Sequence, residues 1–205
     1  MNLWYWFALL VPSVVLHELS HGYVAYLCGD PTAKEQHRLT LNPLRSIDPF
    51  GTILMPILLL AVGLPAFGYA KPVPVSIGRL RHPRQQALWV SLAGPFTNFA
   101  LSAVGYAICE YAIHVSQNQG TFTFGLYLGL VNLVIGAFNM LPIPPLDGSA
   151  IIERFVPNRH LPRYYQLRAR ALPIAFLVII VLTTFTHIGQ YWLSDLERWW
   201  ESLLT

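Results

Sequence analysis

The chain has 205 residues, of which 54% are hydrophobic and only 11% are charged. Soluble domains carry about 25% charged residues, so this composition argues against a soluble domain and predicts a protein embedded in lipid. The formal net charge is +3. The basic residues lie in short loops between apolar runs, as topology signals do in membrane proteins, so we expect no nucleic-acid partner. The two cysteines, Cys28 and Cys109, are too few for a disulfide scaffold.

Four apolar stretches are each long enough, at about 20 residues, to cross a bilayer as a helix. They cover residues 3–29, 86–115, 123–141 and 171–189. A fifth apolar stretch, residues 49–69, is interrupted by prolines and glycines, and the pattern leaves open whether it spans, kinks or re-enters the membrane. We therefore expect an all-α polytopic membrane protein, a bundle of about four to six transmembrane helices with a short β or re-entrant element between the first two core helices.

Basic residues crowd the segments 34–45, 71–84 and 154–170, and the positive-inside rule places all three in the cytoplasm. We expect one membrane-embedded domain over residues 1–205. Its core covers residues 1–150 and is followed by the C-terminal span at 171–189. The tail at 190–205 alternates apolar and acidic residues as an interfacial amphipathic helix does.

The motif HELSH at residues 17–21 lies inside the first apolar stretch. Residues four apart lie one helical turn above each other, so His17 and His21 aim two imidazoles at one point while Glu18 projects nearby. A hydrolytic zinc site requires this geometry. HExxH also occurs by chance, but a charged residue inside a membrane helix costs about 2.5–3.5 kcal/mol and therefore indicates a functional cavity. We predict that the two histidines bind zinc and that Glu18 is the base that activates water.

The third zinc ligand must come from another part of the chain, because the metzincin extension would place it on Leu27. Asp147 follows the apolar run 123–141 in the sequence NMLPIPPLDG, where prolines stop the helix and Gly148 permits a tight turn. An Asp-Gly pair also forms turns without binding metal. The presence of HELSH favours Asp147 as the third ligand.

The chain resembles the site-2 protease family of intramembrane zinc metalloproteases in three motifs, and two more are typical of its compact bacterial branch, which has no PDZ or CBS domain. The three are HELSHGYVA at 17–25, AGPFTN at 93–98 and NMLPIPPLDG at 139–148; the two are LNPLRSIDPFGT at 41–52 and GYAKPVPV at 68–75.

This resemblance implies one zinc ion per chain, held by His17, His21 and Asp147, with Glu18 as the catalytic base. It adds Asn139 as a catalytic residue whose amide steadies the substrate or its oxyanion. It also implies transmembrane protein substrates that unwind before cleavage, and an integral protein of the bacterial inner membrane with its active site towards the cytoplasm. An unwound substrate could add as a strand to an exposed edge, and segment 36–41, QHRLTL, alternates polar and apolar residues as an edge strand does.

Asn98 of the AGPFTN motif is expected to hydrogen-bond across helices beside the small Gly94, in a structural role. Two alternatives for the function stay open. One is a membrane transporter or channel, in which intramembrane ionisable residues carry ions or protons. The other is a catalytically inactive, substrate-binding homologue. The sequence does not indicate the oligomeric state.

Overall fold

The computed structural model describes residues 3–45, 48, 54, 71–164, 166, 195, 198–200 and 202. The predicted span 171–189, nearly all of the stretch 49–69 and most of the tail 190–205 lie outside these residues. Within them, the chain is helical and contains no strand. The helices are α1 (Leu3–Leu27), α2 (Thr32–Glu35), α3 (Pro83–Tyr111), α4 (Gln119–Asn139) and α5 (Ser149–Phe155).

The three long helices begin and end close to the predicted spans. α1 has 25 residues, and at about 1.5 Å per residue it exceeds the roughly 30 Å of a hydrocarbon core. α3 starts at a proline and continues into a π-helical turn, Ala112–Ser116. Together α3 and this turn, Pro83–Ser116, form one candidate membrane span, and α4, Gln119–Asn139, forms another. Both are long and apolar enough to cross a bilayer.

α3 and α4 form a tight antiparallel pair because the turn between them is short and their contact residues are small. Gln117 adopts a left-handed backbone conformation, with φ of 47°, and the Asn118 side chain caps α4 by accepting hydrogen bonds from two backbone N–H groups. Further along, a Cβ on Gly105 would lie 2.7 Å from the Gly129 Cα. Glycine at this position therefore lets the two helix backbones touch.

α1 packs against both helices of this pair. Leu9 of α1 forms a buried cluster with Tyr127 and Val131 of α4. Near the other end of α1, Ala25 packs against Ala87 and Val90 of α3. α1 therefore crosses the α3–α4 pair, with its HELSH segment between these two contacts.

The predicted edge strand at 36–41 is wrong for this structure. The backbone N–H groups of His37, Arg38 and Thr40 donate to the carbonyls of Lys34, Ala33 and Arg38 respectively. These short-range bonds fold the segment into turns, and His37 has a φ of 52° that a strand does not allow. The alternation of polar and apolar residues arises because Leu39 packs inward, close to Gly22 of α1.

Candidate metal centre

His17, His21 and Asp147 meet at one point in the structure. The two histidine Nε2 atoms, one turn apart on α1, are 3.1 Å from each other. Asp147 Oδ2 lies 3.1 Å from the Nε2 of His17 and 3.3 Å from the Nε2 of His21. Their side chains are 7%, 11% and 19% exposed, so the group lies nearly out of contact with solvent. Within the described part of the chain, these three residues form the cluster that could hold a metal ion.

Asp147 reaches the histidines because the chain turns back sharply after α4. The N–H of Gly148 donates to the carbonyl of Asn139 at 2.7 Å and closes the loop. A Cβ on Gly148 would lie 2.7 Å from the Leu141 carbonyl oxygen and closer still to Met140. Only glycine allows this approach, because any other side chain would strike the backbone of the returning chain.

The hydrogen bond of His21 fixes which of its ring nitrogens carries the proton. His21 Nδ1 lies 2.6 Å from the backbone carbonyl oxygen of Val90, on α3. A carbonyl oxygen only accepts hydrogen bonds, so Nδ1 is the protonated nitrogen of the neutral ring. Nε2 therefore presents a lone pair to the cluster.

His17 has the same arrangement with a different partner. Its Nδ1 lies 2.5 Å from Oδ1 of Asn98, another residue of α3. With Nδ1 donating to this amide oxygen, Nε2 of His17 also presents a lone pair. Metal-binding histidines almost always donate their second nitrogen in this way, which holds the ring in place.

Three electron-pair donors thus face one another with no hydrogen between them. Asp147 Oδ2 is buried and has no hydrogen-bond donor, and the two Nε2 atoms beside it carry lone pairs. Such an arrangement is repulsive unless a proton or a metal cation sits among the three atoms. Two imidazole nitrogens and one carboxylate oxygen are a donor set of catalytic zinc sites, so the residues fit this ion.

Gly94 of α3 leaves the space that an ion at this point needs. A Cβ on Gly94 would lie 2.6 Å from the His17 Nε2 atom and closer still to the Nε2 of His21. An alanine there would occupy the volume in front of both lone pairs. Gly94 therefore forms one wall of the cluster.

Glu18 lies beside the cluster and is held by the segment 71–76, which runs extended past α1. Glu18 Oε2 accepts a hydrogen bond from the Val73 N–H at 2.8 Å. The same segment is fixed at its other end, where the Ser76 N–H donates to Asp30 Oδ2 at 2.6 Å. Arg38 donates to the Lys71 carbonyl at 2.8 Å. Three side chains thus hold the backbone of segment 71–76 against α1.

Comparison with known proteins agrees with this geometry. The sequence model of peptidase family M50 matches residues 5–117 and 110–182. The chain belongs to peptidase family M50. The predicted membership of the site-2 protease family is therefore confirmed. The predicted class of enzyme, a zinc metalloprotease, is confirmed with it. The M50 family is membrane-embedded, which agrees with the two candidate spans of the structure.

Several relatives extend the match over most of the chain. YwhC of Bacillus subtilis is 41% identical over 190 residues, which cover 89% of this chain and 80% of the relative. Rip2 of Mycolicibacterium smegmatis is 29% identical, covering 91% of this chain and 69% of the relative. "Zinc metalloprotease MJ0392" of Methanocaldococcus jannaschii is 28% identical, covering 75% of this chain and 35% of the relative. No solved structure matches the chain.

Two further residues of these motifs, Asn139 and Asn98, differ in what they contact. The side-chain amide of Asn139 donates to the Ile135 carbonyl of its own helix at 3.0 Å, and its catalytic role stays a prediction. Asn98 is fully buried and bonds across helices, as expected, but one of its partners is the predicted ligand His17.

Two contacts of the site were not anticipated from the sequence. Asp30 is fully buried and accepts a hydrogen bond from the Ser76 N–H. Val73 supplies the backbone N–H that Glu18 accepts, and nothing in its side chain signals this. For Asn98 a signal existed, since a buried amide inside an apolar run must find a polar partner.

Proposed function

We propose that this protein is an intramembrane zinc metalloendopeptidase that hydrolyses peptide bonds within or near the transmembrane helices of membrane proteins. One observation carries the proposal. Two imidazoles, each with Nδ1 hydrogen-bonded to an oxygen of α3, converge on one carboxylate oxygen of Asp147, and Glu18 is held beside them by the Val73 N–H. Membership of the M50 family and the name of the archaeal relative support zinc as the ion.

In this proposal His17, His21 and Asp147 hold one zinc ion per chain. When bound, zinc supplies positive charge that polarises the scissile carbonyl and lowers the pKa of attacking water towards about 7. The residues of the chain then have separate tasks. The Nδ1 hydrogen bonds of both histidines hold the rings so that their Nε2 lone pairs stay aimed at one point.

Glu18 is the proposed catalytic base. The Val73 N–H occupies Oε2, which turns the carboxylate and leaves Oε1 to take a proton. Glu18 takes the proton of the water as its oxygen attacks the peptide carbonyl carbon, and passes it to the amide nitrogen as the C–N bond breaks. After this transfer the Glu18 carboxylate is again unprotonated, as at the start.

Asn139 is proposed to steady the substrate or its oxyanion. Its amide nitrogen carries two hydrogens, and the bond to the Ile135 carbonyl uses one of them. The other is the donor that the role requires.

The substrate class follows from where the site lies. HELSH lies in the second half of a 25-residue helix, several residues before its end, so water and substrate must reach it inside the membrane. A peptide bond in a transmembrane helix is shielded by its own hydrogen bonds, so the substrate has to unwind locally before it is cleaved. We further propose a single membrane domain in a bacterial inner membrane, with the site towards the cytoplasm, in line with the basic loops.

The test is cleavage of a panel of single-span helices by detergent-purified protein with one equivalent of zinc. Glu18→Gln should abolish cleavage and retain zinc, because the amide cannot take a proton and Glu18 is not a ligand. The matched control is Glu35→Gln, which changes an exposed glutamate that pairs with Arg79. This variant should cleave as the wild type does.

Other results would contradict the proposal. If wild-type protein with stoichiometric zinc cleaves no helix but carries metal ions across a vesicle membrane, the transporter alternative is correct. If it neither cleaves nor transports, the chain is an inactive homologue. Cleavage that survives in Glu18→Gln would remove the assigned base.

A further inference from the structure

A chain of buried amides continues from His17 into the helix bundle. Asn98 Nδ2 donates to Asn132 Oδ1 at 2.8 Å. Asn132 Nδ2 in turn donates to the Leu128 carbonyl and to Ser13 Oγ, both at 2.9 Å. Asn98 and Asn132 are 0% exposed. The chain links α1, α3 and α4, and the proposed function gives no role to Asn132.

The orientation of each amide follows from the one before it. The Leu128 carbonyl is a backbone acceptor that cannot donate, so the Asn132 group facing it is the NH2. The oxygen of Asn132 therefore faces Asn98, and Asn98 donates a hydrogen bond to it from its own NH2 group. The Asn98 oxygen is therefore the atom that faces His17.

The last link fixes the state of the imidazole. An amide oxygen only accepts, so His17 places its proton on Nδ1 and keeps the Nε2 lone pair directed at Asp147. A rotated Asn98 amide would present NH2 to Nδ1 instead. It would favour the ring with the proton on Nε2, and that ring cannot bind a metal at this point.

We propose that Asn132 is a positioning residue that sets the tautomer of His17 through Asn98 and thereby raises the affinity of the site for its metal ion. The inference rests on the proposed function in one respect, since it takes His17 to be a zinc ligand. The tautomer itself does not depend on zinc. This allows the two ideas to be tested separately.

The first experiment measures zinc affinity by competition with a chelator. Asn132→Leu keeps the branching at Cγ and the number of side-chain heavy atoms but removes the acceptor that orients Asn98. We expect zinc affinity to fall by about 10- to 100-fold, the range for lost partners of metal-binding histidines. The control is Ser102→Ala, which removes another buried hydrogen bond of α3, the one from Trp200 Nε1. It should retain wild-type affinity.

A double variant separates orientation from packing. In Asn98→Asp both side-chain oxygens accept, so His17 Nδ1 has an acceptor whichever way the group turns. In that variant the Asn132 oxygen opposes a carboxylate oxygen, and Asn132→Leu removes this conflict. We expect Asn98→Asp/Asn132→Leu to bind zinc more tightly than either single variant.

A purely structural role for Asn132 predicts the opposite order, with the double variant the weakest of the three. That result would overturn the inference, as would unchanged affinity in Asn132→Leu. If Asn132→Leu folds only in combination with Asn98→Asp, the comparison of Asn98→Asp with the double variant still decides, because the order of these two is reversed between the explanations.

The second experiment reads the tautomer in zinc-free protein by the 15N shifts of labelled histidine, with His17 assigned from its loss in His17→Ala. We expect protonated Nδ1 in the wild type and increased protonation of Nε2 in Asn132→Leu. The same tautomer in both proteins would refute the inference. Wild-type protein that shows the expected tautomers but binds no zinc would contradict the proposed function and leave the tautomer assignment intact.

Discussion

Gly94 is the residue whose size decides whether the centre has room for an ion. A Cβ there would lie 2.6 Å from His17 Nε2 and closer still to His21 Nε2, inside contact distance of both atoms. We predict that Gly94→Ala lowers zinc affinity by at least about 10-fold, because the methyl group displaces the histidines or the ion. Chelator competition measures the loss.

Gly78→Ala is the matched control for this change. Gly78 has no heavy atom within 4 Å of a Cβ built on it, so an alanine there meets nothing. It should bind zinc as the wild type does. Equal affinity in Gly94→Ala would mean that Gly94 does not border the ion.

The sequence predicted both histidines, Glu18 and Asp147 as residues of the site, but it did not predict which residues they contact. The i, i+4 spacing of His17 and His21 is local and follows from helix geometry alone. Asn98 is 81 residues from His17, and its contact depends on how α3 is rotated and shifted against α1. This rotation and shift are set by packing along the whole helix pair, and a short sequence motif does not specify that packing.

Segment 71–76 is the element that orients the base. Val73 lies between Pro72 and Pro74, so its backbone is already extended and suits a proline. Val73→Pro removes the N–H that Glu18 accepts. We predict a fall in kcat of about 10-fold or more with zinc content unchanged, because a base that is free to turn is poorly placed for proton transfer.

Val73→Ala provides the comparison, since it keeps the N–H and loses only side-chain packing. Its kcat should stay well above that of Val73→Pro. If both variants lose kcat equally, the buried side chain rather than the hydrogen bond places this segment, and the orienting role assigned to the Val73 N–H is wrong.

Among the elements, the long helices were predictable and the connecting segments were not. About 20 consecutive apolar residues specify a membrane helix with little reference to the rest of the chain. The alternation in segment 36–41 predicted a strand, yet its pattern comes from Leu39 packing on α1 while its N–H groups close turns. Alternation is a sound strand signal only where a neighbouring strand supplies the hydrogen bonds.

For the molecule as a whole, the ion should act as a link between parts of the chain that are far apart in sequence. His17 and His21 belong to α1, whereas Asp147 follows α4, and without a proton or a metal ion between them their facing atoms repel. We predict that removing zinc with a chelator lowers the Tm of the purified protein. The stabilisation should be about 2.7 kcal/mol at a free zinc concentration 100 times the Kd.

Asp147→Ala gives the control for this measurement. It removes the carboxylate that faces the two imidazoles, so its Tm should respond much less to zinc or chelator. A wild-type Tm that does not change with zinc would show that the ion does not join α1 to the loop after α4.

The predicted all-α membrane bundle agrees with the described helices and with the M50 family. The composition and the length of the apolar stretches predict this fold class because they reflect the lipid solvent, which acts on every residue alike. Composition does not predict how the Asp147 loop is placed against α1. That placement depends on close glycine contacts, of Gly105 with Gly129 and of Gly148 with the end of α4.

X-ray absorption at the zinc edge identifies the atoms around the ion that we propose His17, His21 and Asp147 hold. Purified protein with one equivalent of zinc should show two imidazole ligands and oxygen ligands, with no sulfur. In Asp147→Ala the bound zinc should be lost or weakly held. Zinc bound through a cysteine sulfur, or folded wild-type protein that binds none, would show that these three residues do not form a zinc site.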